Sequence, residues 1–401
     1  MVLRRGRMAT GIIVQHSTLP QRRVGLVRCD ITALIGWIPK DRWPEDAVEG
    51  DFVEIRLGSA YDYWDHPLRH LFSPVVEASV RAFFENGGAD CRLFGLCIPL
   101  EAPVREGSFS DAFEPLIHHL RADEDVALLV MPEAAYLPCH VNRQTGDVTN
   151  EAEALYDRLL IHCLEMHNRF MILDAPARLH GDVLKRWLRS WRFRAPELRS
   201  RCAMYYPWLQ RGDAVMPPSA SMAGVYSRVE REHLPFGVMW PPANVSVEGA
   251  THAEVILDWD EAHDLVDASV NPIVVQPGRG VVVWGARTLS TEETWRFINT
   301  RRIVSMVAEQ LRRDSQWAVF EQNSPDTWAV LQRDVGLRLE TFWRAGLITG
   351  DKDRHYLVQC DDSNNPVVER DAGNLHVRVD LRPVGTTEMV SINMRLAEDN
   401  T

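Results

Sequence analysis

The stretch that decides how this chain is read is "GRGVVVWGARTLS", Gly278 to Ser290. It sets two glycines ahead of three valines, then a tryptophan, a further glycine and an arginine. A phosphate-binding glycine loop would follow a strand and open a helix, so that helix N-terminal amides face the phosphate. Here the order is reversed. Gly278 and Gly280 follow Pro277 and lead into Val281-Val282-Val283, a β-branched run that reads as a strand. A helical pattern begins only beyond Ser290. The stretch is not a nucleotide loop.

Upstream of it, short apolar runs alternate with helical patterns. The strand-like runs are "VGLVRCDITALIGWI" (24–38), "CRLFGLCI" (91–98), "VALLVM" (126–131), "RFMILD" (169–174) and "RCAMYYPWL" (201–209). Helical patterns cover 73–88, 110–121, 150–167, 181–193 and 218–232. The first opens with Ser73-Pro74 and closes with Asn86-Gly87-Gly88, which is cap chemistry at both ends. Apolar strands alternating with helices predict a parallel sheet covered on both faces. Downstream the grammar changes to two long helical patterns, 291–313 and 325–347, then strand-like runs at 355–360, 374–384 and 388–396. That is α+β with an antiparallel sheet, so a domain boundary is expected near residue 275. Residues 41–66, polar and aromatic, read as a surface loop.

Composition narrows the function class. At 45% apolar and 25% charged residues, the 401-residue chain is an ordinary globular protein long enough for two or three domains. A net charge of −12 argues against nucleic acid as a partner, since binding there needs a basic face. Lysine occurs only at Lys40, Lys185 and Lys352, so nearly every cation is Arg, suited to bidentate contacts across protein surfaces. No apolar run is long enough to insert into a membrane. Seven scattered cysteines without a C-x-x-C pair read as reduced thiols. The segment "MVLRRGRMATGIIVQHS" is basic but lacks the apolar core of a signal peptide, so a protein made and assembled in the cytoplasm is expected.

No catalytic constellation in the sequence holds together. "SASMAG" (219–224) puts Ser221 at a helix start as in subtilisin-like proteases, with Asp174 and His180 supplying the same chain order. The surrounding motifs fail, because Asp174 is followed by Ala175-Pro176 and the His comes only six residues later. Order alone is weak evidence for a triad, so Ser221 is read as a capping or packing residue. Cys163 with His167, and His66 with His70, are spaced four apart, but a structural zinc site needs four ligands. The expectation is no catalytic residue, no metal and no cofactor.

The opening stretch, extended to "VNPIVVQPGRGVVVWGARTLS" and followed by "TWRFINTRRIVSMV", "WAVFEQNSPDTW" and "FWRAGLITG", resembles the C-terminal half of contractile tail sheath proteins. Those build contractile phage tails, R-type bacteriocins and extracellular contractile injection systems. The likeness runs upstream through "SVRAFFENGGADCRLF" (79–94), "MYYPWL" (204–209), "PPSASMAGVYSR" (217–228) and "GVMWPPAN" (237–244). It implies a subtilisin-like, non-catalytic parallel-sheet α/β domain, an α+β C-terminal domain facing an inner tube, and extended terminal arms. The implied division is an arm and linker at 1–23, the α/β domain at 24–275, the C-terminal domain at 276–386 and an arm at 387–401.

By the same resemblance the chain is a structural subunit, not an enzyme. It would polymerise with itself in six-membered rings around an inner tube protein, and contract to drive the tube through a target envelope. Baseplate and terminator proteins, and sheath paralogues, are the other implied partners, in a particle that can be released. The alternatives are a baseplate or cap component of the same particle, and a degenerate subtilisin-like hydrolase. Arm strands that add to a neighbour's sheet are implied at Ile12, Ile13 and Val14, and at Met389, Val390, Ile392 and Met394. Ordinary edge strands of the chain's own sheet are the other reading of that pattern. "TLPQRR" (18–23) would be the tether. At the domain junction, Gly278 and Gly280 would make a close-packed turn and Val281 to Trp284 a buried strand. Gly285 would let Arg287 bond nearby carbonyls or a carboxylate. Arg296, Arg301, Arg302, Arg312 and Arg313 are the candidate tube contact, a solvated helix face being the alternative.

Overall fold

A computed structural model describes residues 25–98, 108–192, 195–350 and 355–397, with only the backbone for 108–112. Its main element is a nine-stranded mixed sheet. In chain order the strands are β1 (Thr32–Trp37), β2 (Phe52–Leu57), β3 (Cys91–Leu96), β4 (Leu128–Val130), β5 (Phe170–Asp174), β6 (Cys202–Tyr206), β7 (Val245–Ser246), β8 (Val270–Gln276) and β9 (Gly280–Val283). Across the sheet they run β7-β9-β8-β6-β5-β4-β1-β3-β2. The six from β8 to β3 are parallel, and antiparallel β2 and β9 flank them.

The parallel strands are apolar because both faces are covered. Ala33, Ile35 and Trp37 of β1 point into one core layer and Leu34 into the other. The first layer takes α2 (Ser108–Ala122), α3 (Ala152–Met166) and α4 (Gly181–Arg192); the second takes α1 (Pro74–Glu85) and α5 (Ser219–Glu232). α5 lies directly on α1. A Cβ at Gly224 would stand 2.2 Å from the Phe83 carbonyl oxygen, so the glycine of "SMAG" permits that approach. α6 (Trp259–Asp267) precedes β8 and opens with a capping box in which Asp258 accepts from the Glu261 amide.

The second unit packs α7 (Ile298–Ser315) and α8 (Pro325–Arg344) against an antiparallel sheet of β10 (Tyr356–Gln359), β11 (Leu375–Leu381) and β12 (Val390–Leu396). Its core is separate, built on Val307, Leu311, Leu331, Leu339, Phe342, Val379 and Leu381.

Four expectations change. Residues 41–66 are not all loop: β2 forms there because "FVEIRL" alternates along a sheet edge. The stretch 24–38 gives only the six residues of β1. The valine run does not open the second unit. It is β9, paired with β8 from Ile273↔Val283 to Gln276↔Gly280, so a boundary at 275 cuts a hairpin. The second unit's first helix starts at Ile298, and 291–297 are not helical.

Candidate functional site

The features that bear on assembly are the joint between the two units and the free edges of the second sheet. In the hairpin turn, Gly278 and Gly280 have φ of +77° and +76°, which L side chains rarely adopt. No atom lies within 4 Å of a Cβ built on either, so backbone conformation, not close packing, requires glycine there. Gly285 is the crowded position: its Cβ would come 2.7 Å from Asn271 Oδ1. That approach lets the fully buried Asn271 accept from the Arg287 amide (2.6 Å) and donate to the carbonyls of Arg287 (2.8 Å) and Met204 (3.1 Å). Arg287 thus acts through its backbone, and its guanidinium lies over the Phe297 ring instead of reaching a carboxylate. Trp284 is not buried. It is 36% exposed and sits edge-on to Trp259, with centroids 5.2 Å apart. Asn271 was missed; a lone amide within "VNPIVV" was its signal.

A second feature had no signal in the sequence. Residues 25–29 are strapped across α7 before the chain enters β1. The Val27 amide donates to Gln310 Oε1 (2.8 Å), and Gln310 Nε2 donates to the Gly25 carbonyl (3.4 Å). The Cys29 amide donates to Glu230 Oε1 (2.9 Å), while Arg302 Nη2 donates to the Cys29 carbonyl (2.7 Å) and to Glu230 Oε2 (2.9 Å). Burial raises the Glu230 carboxyl above its ordinary pKa, and the Arg302 charge opposes that rise. The side chains of Val27 and Cys29 pack into the second unit's core.

This geometry removes most of the proposed basic face. Arg302 is 5% exposed and paired with Glu230, and Arg301 is 6% exposed against the Trp295 ring. Arg312 pairs with Glu124 (2.7 Å) and Glu309 (2.9 Å); Arg313 pairs with Glu309 (2.6 Å) and Asp125 (3.1 Å). Arg296 precedes the helix, 3.7 Å from Glu293. Arg302, Arg312 and Arg313 are engaged inside the chain because the carboxylates that answer them come from α5, α7 itself and the segment before β4.

Of the arm positions, Ile12, Ile13 and Val14 lie outside the described residues. Val390, Ile392 and Met394 are on β12, which pairs with β11 of the same chain over seven residues, Leu375↔Leu396 to Leu381↔Val390. With Leu396 they are buried on the second core, and Met389 is exposed. Among the described residues β12 is an edge strand of its own sheet, paired on one side only.

The protease-like residues do not converge. Asp174 is buried and accepts from the Ser219 amide at 2.6 Å, holding the start of α5; burial pushes its pKa up to about 7. His180 Nδ1 is 3.0 Å from the Tyr206 hydroxyl. Ser221 Oγ is buried without a hydrogen-bond partner, so Ser221 packs and does not cap. All seven cysteines are free. Among the described residues no group of three or more His, Cys, Asp or Glu could hold a metal ion, and no helix is long and apolar enough to cross a membrane.

Comparison with known proteins agrees with these units. Residues 198–289 match the family of the phage tail sheath protein central domain, and 290–397 that of the phage tail sheath C-terminal domain. The chain is 22% identical over 183 residues to the tail sheath protein of Vibrio phage KVP40, covering 44% of this chain and 26% of that one. It thus spans about a quarter of the length of the curated relatives it matches. Among solved structures it resembles the anti-feeding prophage helical sheath in its contracted state (24% identity, TM-score 0.66, covering 97% of this chain and 99% of that one). It also resembles the contracted PVC sheath complex of an extracellular contractile injection system (24% identity, TM-score 0.65, 98% of each chain). The boundary between the two matched domains, at 289/290, falls just after the Asn271–Arg287 bond, and residues 198–397 carry the central and C-terminal domains of the phage tail sheath protein family.

Proposed function

We propose that this chain is the structural subunit of a contractile sheath, polymerising in helically stacked six-membered rings around an inner tube. The observation that carries this reading is the unbroken succession of the family's central and C-terminal domains over 198–397. Contraction would draw its work from the difference in interface free energy between two packings of the same subunits, so no catalytic step is involved. Neighbours would be linked by the N-terminal segment and by β12. The β12 register on β11 is available equally to a neighbour's β11, and exchange of an identical strand is a low-cost route to assembly. The inner tube, a baseplate and a terminator are the further partners, and assembly takes place in the cytoplasm. The second unit is proposed to face the tube. Its contact is placed on the outer face of α8, where Leu337 is 63% exposed, because the cations of α7 are engaged internally.

Electron microscopy of the expressed chain, alone and with its tube protein, tests the reading. Long, hollow, striated tubes are expected. Discrete rings or monomers under both conditions would overturn it in favour of a baseplate or cap role.

A further inference from the structure

Most buried cations of this chain have an answering group. Arg302 meets Glu230, Arg199 meets Asp157 at 2.9 Å, and Arg169 donates to three backbone carbonyls. Arg201 and Arg301 differ. They are 5% and 6% exposed, and among the described residues no carboxylate bonds to either. Among the described residues the Nε of each is buried without a hydrogen-bond partner, as are those of Arg169 and Arg199. What they share is one hydroxyl: Ser305 Oγ accepts from Arg201 Nη1 at 3.3 Å and from Arg301 Nη2 at 3.4 Å. Arg201 also donates to the His167 carbonyl at 2.5 Å, and Arg301 lies 4.2 Å over the half-buried Trp295 ring.

The one carboxylate whose charge is felt at His167, Glu309, is paired with Arg312 and Arg313 and bonds to neither Arg201 nor Arg301. Arg301 stands in the first turn of α7, where the helix dipole is also positive. Burial pulls the Arg201 pKa down to about 10, and burial and then Arg201 pull Arg301 down. His167 is held below its ordinary pKa by burial and by both arginines, and supplies no counter-charge. Buried cations persist at a cost unless something opposite in charge meets them. Two planar forks around one rotatable hydroxyl are the donor set that suits a planar or tetrahedral oxyanion.

We propose that Arg201, Arg301 and Ser305 form an oxyanion site at the joint, with the free Nε–H groups and a rotated Ser305 hydroxyl as donors and Trp295 as its cover. Arg201 belongs to the first unit and Arg301 and Ser305 to the second, so an anion bound between them clamps the two units together. The chemistry is that of a phosphate or a carboxylate group. A free ion and a carboxylate side chain of a second copy are its two sources.

The test is thermal melting of the purified full chain in chloride, inorganic phosphate or acetate at matched ionic strength. A saturable rise on the order of 2–4 °C over chloride is expected. A response confined to phosphate identifies a free ion, and one to acetate identifies a carboxylate group. Arg301→Met should abolish the response and melt in chloride at or above the parent temperature, because it removes an uncompensated charge while keeping a side chain against Trp295. Ser305→Ala, which leaves both cations in place, should weaken the response and covers the case in which Arg301→Met does not fold. No response beyond chloride in the parent chain, or an undiminished response in the folded variants, would overturn the site and leave only adventitious surface binding.

Discussion

Removing β12 is the sharpest perturbation the fold offers. Treated as a free arm, residues 387–401 could be deleted and leave a soluble, cooperatively melting monomer. The structure gives the opposite expectation. Val390, Ile392, Met394 and Leu396 are between 5% and 9% exposed and pack into the second core. At about 1.5–3 kcal/mol per enclosed side chain they contribute roughly 6–12 kcal/mol as an upper bound. The backbone bonds across the seven-residue register add about 0.5–1.5 kcal/mol each. A whole domain is commonly stable by only about 5–15 kcal/mol. A chain ending at residue 386 should therefore keep the nine-stranded sheet but lose cooperative melting of the second unit. Calorimetry should show one transition where the full chain has two or a single merged one. Tryptophan emission, with Trp317, Trp328 and Trp343 in that unit, should shift to the red. Limited proteolysis should cut between α7 and β11. A synthetic peptide of residues 387–401 added in trans should restore protection, as an exchangeable strand would. An unchanged melting profile of the truncated chain would refute the reasoning, since β12 would then contribute nothing to its own subunit.

Two further outcomes follow from buried charge. Glu230→Ala leaves Arg302 buried and unpaired and should cost about 3–5 kcal/mol in urea unfolding, whereas Glu230→Leu combined with Arg302→Met should cost less than the single change; equal losses would mean that the pair is not coupled. Burial raises the Asp174 pKa from 3.8 to about 7, so its contribution to stability is complete below pH 4 and lost as pH rises through 7, a span on the order of 4 kcal/mol. Asp174→Asn should flatten stability between pH 4 and 7. It should do so only partly, because the Glu133 carboxyl, pushed to about 7 by burial, keeps a similar slope; parallel curves for parent and variant would count against the assignment.

The elements were legible where a local rule fixes them. α1 begins where Ser73 caps the Val76 amide and Pro74 takes the first helical position, as "SPVV" implies. The alternation of β12, "VSINMRL", is borne by its pattern of buried and exposed residues. Alternation says that one face is covered but not by which chain, so it could not separate an arm from an edge strand. The five arginines failed for a different reason. Their helical spacing was visible, but of the groups that engage them, Glu230, Glu124 and Asp125 lie 72 to 189 residues away in sequence. No local pattern carries that. The hairpin was hidden by its own turn: Pro277-Gly278 looks like a linker when the pairing of β8 with β9 is unknown.

The strap at Gly25–Cys29 bears on how a subunit could move in the proposed sheath. A pull on the N-terminal segment would reach α7 through Gln310 before it reaches β1. α7 is in turn fastened to α5 by Arg302–Glu230 and to the segment before β4 by Arg313–Asp125. Asn271 holds the segment that leads from β9 towards the second unit, through the backbone of Arg287. Opening the joint would strand Arg302 or Glu230 without its partner, at a cost of several kcal/mol. Extending a flexible tether by a few residues costs only tenths of a kcal/mol. The cheaper motion is therefore rigid-body displacement of the two units together. Lengthening 18–23 by a few Gly/Ser residues should then leave unfolding of the isolated subunit unchanged while loosening the coupling between neighbours. Contraction would become incomplete under the microscope. If the insertion instead lowered subunit stability, or left contraction complete, the hinge would have to lie elsewhere, within the joint itself.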